Sequence, residues 1–137
     1  MRLVPIFLLF SLLPAVVGAQ APQTVFRGRP QLKVNEGGVE RLAENVPSQS
    51  APNLVVVISK IGDRFYWASR ENAPMIEVDG GGAYITYVAV NGSGYVRVLK
   101  ADMKKAAAIV DDTAAKFDYV EHLVLGLKSV TYYGIRQ

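Results

Sequence analysis

The chain contains no cysteine and only one histidine and one tryptophan among its 137 residues. The missing thiols exclude a disulfide framework and thiolate metal sites. The single His122 leaves a zinc site dependent on carboxylates, and no spaced cluster of them supplies one. Charge of one sign is also scarce: 15 cationic and 12 acidic side chains give a net charge of +3. That balance is too weak to argue for nucleic acid or for an anionic membrane. Apolar runs are short after the first residues, and no internal repeat occurs.

What is present starts at the N-terminus. Met1-Arg2 is followed by an almost wholly apolar run from Leu3 to Leu13. Pro14 then precedes the small residues Ala15-Val16-Val17-Gly18-Ala19, the order of a cleavable secretory signal. The expected cut falls after Ala19, because a cut after Ala21 would place Pro22 directly behind it. The run is shorter than the ~20 apolar residues of a membrane span, so no stable membrane anchor is expected after cleavage. Removing residues 1–19 from the 137 leaves 118, a single domain's worth, and takes away one arginine, leaving a balance of +2. The expected localisation is secreted or periplasmic.

Residues 20–53 are rich in Pro, Gly, Gln, Ser and Asn without sustained periodicity, and read as a flexible N-terminal segment. Val39 to Glu44 within it suggests a turn or two of helix, with Pro47 and Pro52 beyond its end. From Leu54 the texture changes to β-branched and aromatic runs broken by turn residues, the pattern of an antiparallel meander. Strands are expected at 54–60, 64–70, 75–78, 83–90 and 95–100, with Asn91-Gly92 as a hairpin turn. A long helix is expected from about Met103 to His122. Its apolar stripe would be Met103, Ala106, Ala107, Val110, Ala114 and Phe117. Residues 128–135 read as a returning sixth strand. The fold class expected is α+β: residues 54–137 form a curved antiparallel sheet of five or six strands with one long helix packed on it.

Signals of chemistry are sparse. Ser69, Ser93 and Ser129 lack a nucleophile-elbow setting. Gly80-Gly81-Gly82 and Gly92-Ser93-Gly94 lie between strands and read as turns, not phosphate cradles. Asn91-Gly92-Ser93 is also a glycosylation sequon, relevant in a eukaryotic source. His122 and Glu121, adjacent on a helix, would not face each other, and His122 is expected to cap the helix end. Nothing in the spacing pairs Glu71, Glu77 or Glu121 for glycoside chemistry. No catalytic residue, metal ligand or cofactor is assigned.

The most polar cluster of the ordered part is Ser69-Arg70-Glu71-Asn72, directly after Phe65-Tyr66-Trp67. An aromatic surface beside a guanidinium and a carboxamide suits a protein, peptide or glycan partner. Trp67, Arg70, Glu71, Asn72 and His122 are therefore the candidate binding residues, set against a plain reading in which Trp67 is core and the rest a solvated turn. The expected function is a small binding or interaction module, such as an inhibitor or envelope accessory protein. The competing reading is a small secreted hydrolase or isomerase with a cleft between helix and sheet, using His122, Glu121, Arg70 or Glu71.

Overall fold

The structure, a computed structural model, describes residues 20–42 and 54–137. The signal sequence read over residues 1–19, and Pro47 and Pro52, lie outside them. Nine strands are present among the described residues: β1 (Gln23–Asn35), β2 (Gly38–Arg41), β3 (Val56–Ile61), β4 (Arg64–Trp67), β5 (Ala73–Asp79), β6 (Tyr84–Ala89), β7 (Gly94–Leu99), β8 (Tyr119–Leu125) and β9 (Lys128–Arg136). They form one sheet in the order β2-β1-β3-β4-β5-β6-β7-β8-β9, every neighbour pair is antiparallel, and β9 pairs back onto β1. Eight strands thus close a barrel, and β2 folds back along β1 as an extra arm.

Closure depends on β1, whose 13 residues pair with β3 and β9 as well as with β2. Its first half pairs with β3 and its second with β9, with irregularities between Thr24 and Phe26 and between Pro30 and Leu32. Such bulges bend a strand and raise its twist, which is how an open meander curls into a ring. Pro30 sits beside one of them, a position where its missing N–H interrupts the ladder least.

The expectation of a five- or six-stranded sheet crossed by a long helix is overturned at two places. The first is the supposed flexible segment. Residues 23–41 supply β1 and β2, so of the turn or two of helix expected over Val39 to Glu44, Val39 to Arg41 are strand instead, and Ala43 and Glu44 lie outside the described residues. The alternation in β1 is real: Phe26, Gly28 and Pro30 are buried while Arg27 is exposed. It escapes a hydrophobicity reading because two of the three inward positions are Gly and Pro. Glycine is needed there. A Cβ at Gly28 would overlap the Tyr119 ring, and one at Gly134 would overlap both Tyr119 and the Arg29 carbonyl.

The second place is residues 103–122. A single 3-10 turn (Ala101–Met103) leads into α1 (Lys104–Val110) and α2 (Asp112–Lys116), and the chain then becomes β8. Asp111 breaks the helix with an extended backbone (φ −140°, ψ 109°), and its carboxylate accepts from the Thr113 N–H at 2.9 Å to cap α2. Tyr84 donates its hydroxyl to the other oxygen of Asp111 at 2.8 Å. Only Ala107 and Ala114 of the expected stripe are buried, against Leu99, Ala83 and Tyr84, while Val110 is 86% exposed. The helical pair is a short flap on the barrel, not a layer across it.

The barrel interior is apolar and close-packed around Phe26, Val56, Ile58, Trp67, Met75 and Val96, with Tyr87 and Tyr119. The antiparallel order puts the connections 68–72, 90–93 and 126–127 at one end. Connections 62–63 and 80–83 and the helical flap lie at the other.

Candidate functional site

The site grows from the end of β4. Trp67 is the last residue of that strand, points inward and is wholly buried. Its indole Nε1–H donates to Glu121 Oε2 at 2.9 Å. Glu121 is the midpoint residue of the inward-facing set of β8, flanked by Tyr119 and Leu123, and is itself 0% exposed. Three places past Trp67, Arg70 reaches back into the barrel. One terminal nitrogen of its guanidinium (Nη2) donates to Glu121 Oε1 at 2.7 Å, and its Nε donates to Oε2 at 3.4 Å. The guanidinium also lies 6.0 Å from the centre of the Tyr132 ring. A fork of this kind is the geometry in which Arg holds a carboxylate best.

β4 and β8 stand four places apart in the ring of eight, so this network spans the barrel. Burial pushes the Glu121 carboxyl above its ordinary value, and the Arg70 and Trp67 bonds work against that push. Burial, and then the Glu121 charge, push the Tyr119 phenol far above its usual range, so it remains protonated. Its hydroxyl is buried without a hydrogen-bond partner among the described residues.

Outside the network is a short, hydrogen-bonded loop. The Trp67 carbonyl accepts from the Arg70 N–H at 2.9 Å, and the Arg70 carbonyl accepts from the Ala73 N–H at 3.2 Å. The Val57 N–H donates to the Ser69 hydroxyl at 2.9 Å, stitching the loop to β3. Glu71 and Asn72, the central residues of the final turn, have φ of 56° and 54°, the only non-glycine residues at positive φ among those described. Hairpin turns of this hand usually place Asn and Gly there. Asn72 tolerates the left-handed region; Glu71 does so only at a cost. Both side chains are exposed.

The five sequence-derived candidates therefore separate. Trp67 and Arg70 meet at Glu121, with Trp67 inside the barrel and not on a surface platform. Glu71 and Asn72 sit above them in solvent. His122 leaves the opposite face of β8, where its ring stacks on Tyr95 at 5.3 Å and its Nδ1 lies 2.9 Å from the Thr131 hydroxyl. It is on the outer wall, within a strand, and does not cap a helix. Glu121, raised from the sequence for the competing hydrolase or isomerase reading, is not among the binding candidates. The signal for it was the alternation Tyr119-Val120-Glu121-His122-Leu123, in which a charge takes an inward position.

A cleft does lie between the helical flap and the barrel. It is a cavity of about 240 Å³ lined by Leu99, Lys100, Ala101, Lys104, Asp118 and Arg136, and it contains neither His122 nor Glu121. Among the described residues no group of three or more His, Asp or Glu side chains is arranged to hold a metal ion. Comparison with protein-family models, with curated proteins and with solved structures returned no match to this chain.

Proposed function

We propose that the protein is a small extracytoplasmic binding module that recognises a protein, peptide or glycan partner through the exposed turn at Glu71 and Asn72. The observation that carries this reading is the pairing of backbone strain with buried support. Two consecutive non-glycine residues are held at positive φ, and the arginine before them is locked to a carboxylate inside the barrel. Strained backbone costs roughly 1–3 kcal/mol per residue and persists only where its surroundings over-determine it, as at active sites, ligand clamps and switch regions. A buried ion pair is itself a poor source of stability. Its use here is to aim the loop. The extracytoplasmic setting rests on the signal sequence read over residues 1–19. The interior of this barrel is apolar, whereas that of a lipid-embedded barrel is polar.

A hydrolase or isomerase built on His122 and Glu121 would need both in one pocket, whereas they leave opposite faces of β8. The binding reading is tested with a photo-crosslinking residue placed at position 72 and, as a control, at exposed position 105 on the flap, each expressed in the native host. Adducts at 72 and not at 105 are expected. Equal yields at both, or none at 72, would remove the loop as the recognition element.

A further inference from the structure

The end of the barrel away from this loop carries a second, separate feature. The end of β7, the start of α1 and the end of β9 converge on the 240 Å³ cavity, and each brings a cation: Lys100, Lys104 and Arg136. Asp118, just before β8, is the one acid in the lining. We propose that this cleft binds a small oxyanion of the phosphate type, either the free ion or the phosphoryl group of a small phosphomonoester.

The charges are already arranged for it. Both oxygens of Asp118 are engaged: Oδ1 accepts from Lys104 Nζ at 2.5 Å and Oδ2 from the Arg136 backbone N–H at 2.8 Å. Burial opposes the charge on Asp118, but these bonds hold its carboxyl below the usual aspartate value, so it stays ionised. Three cations against one acid leave the lining at +2, the complement of a phosphate dianion. Lys100 makes its ion pair outside the lining, with Asp79 at 3.0 Å.

Arg136 is pre-set. Its guanidinium donates to the Leu99 carbonyl at 2.6 Å and lies 5.1 Å from the centre of the Phe26 ring. A guanidinium fixed in this way loses little freedom when it meets an oxyanion. Each lysine ammonium has three donors, of which the Asp118 and Asp79 bonds use one apiece. The cavity is smaller than the ~300–1,000 Å³ of sites for drug-sized ligands, which limits the occupant to a small molecule. Leu99 and Ala101 are the apolar residues of the lining, and Lys100, Lys104 and Arg136 carry its hydrogen-bond donors.

The test is a titration of the protein, followed by amide NMR shifts, with inorganic phosphate, with glycerol phosphate and with chloride at matched ionic strength. Saturable shifts of the Lys100, Lys104 and Asp118 amides with the phosphates and not with chloride are expected. Lys104→Gln should weaken the binding about tenfold, the scale of one charge-assisted bond. Asp118→Asn should strengthen it by removing the competing acid. If Asp118→Asn does not fold, Lys100→Gln replaces it, with weakening expected. Tighter binding of glycerol phosphate would identify a phosphomonoester as the ligand class, and tighter binding of phosphate the free ion. Absence of saturable shifts, equal shifts with chloride, or a Lys104→Gln variant that binds as well as the parent would overturn the proposal.

Discussion

Replacing Arg70 with alanine is the sharpest test of the network behind the loop. The change removes the only cation bonded to Glu121 among the described interactions and leaves a wholly buried carboxylate supported by the Trp67 N–H alone. Breaking one side of a buried pair costs ~3–5 kcal/mol. The Arg70 side chain is 22% exposed, so water reaches the vacated space, and the lower end applies, about 3 kcal/mol or roughly a hundredfold in the folding equilibrium. Urea unfolding followed by the fluorescence of Trp67, the one tryptophan, measures this directly. The loss should also depend on pH. Without Arg70 the Glu121 carboxyl rises further above its ordinary 4.5. Between that value and the raised one, the folded state binds more proton than the unfolded state, so stability falls as pH increases. The parent, whose Glu121 is raised less, stops losing stability at a lower pH than the variant does, so the penalty of Arg70→Ala grows with pH until it levels off above the variant's Glu121 value. In Arg70→Ala with Glu121→Gln the buried charge is gone, and most of the loss should be recovered. A penalty under about 1 kcal/mol, or one that does not grow with pH, would refute the view that this ion pair holds the loop.

Three other perturbations probe the same structure. Glu71→Gly relieves a left-handed φ and should raise stability by up to about 1 kcal/mol in thermal melts while reducing crosslinking through the loop; a destabilised variant would show that Glu71 is not strained. Tyr119→Phe deletes a buried hydroxyl that has no partner among the described residues, and is expected to leave the protein as stable or up to about 2 kcal/mol more so by urea unfolding. Gly134→Ala sets a methyl group against the Arg29 carbonyl and the Tyr119 ring and should cost at least about 2 kcal/mol, measured by the same unfolding curves.

Between Leu54 and Lys100 the strands follow local chemistry. β-branched and aromatic residues alternate, Asn91-Gly92 turns the chain, and β3 to β7 appear within a residue or three of the expected positions. Where the reading fails, the residues at inward positions are not apolar. Gly28 and Pro30 hide β1 inside what looks like a tail, and Glu121 hides β8 inside what looks like a helix. In both cases the inward residue answers to something far away in sequence: Gly28 to the ring of Tyr119, and Glu121 to Trp67 and Arg70 across the barrel. The alanine-rich residues from 103 to 117 have true helical propensity, but propensity yields to tertiary context. Asp111 ends the first helix, and β8 is held by its ladder with β7 and β9.

The candidate residues divide in the same way. Arg70, Glu71 and Asn72 stand out in the sequence because charge and turn chemistry follow an aromatic run, a local signal. That Trp67 lies inside, that His122 faces away on the far wall and that Glu121 is the anchor are matters of strand parity and ring closure. The cleft of Lys100, Lys104, Asp118 and Arg136 draws on the end of β7, the start of α1, the residue before β8 and the end of β9, and leaves no trace in any one stretch of chain. Local order along the chain determines strands, turns and the amino-acid material of a thiol-free core. Which strand meets which, and so which side chains share a site, is decided only when β9 closes on β1, because that single pairing brings residues about a hundred positions apart within bonding reach.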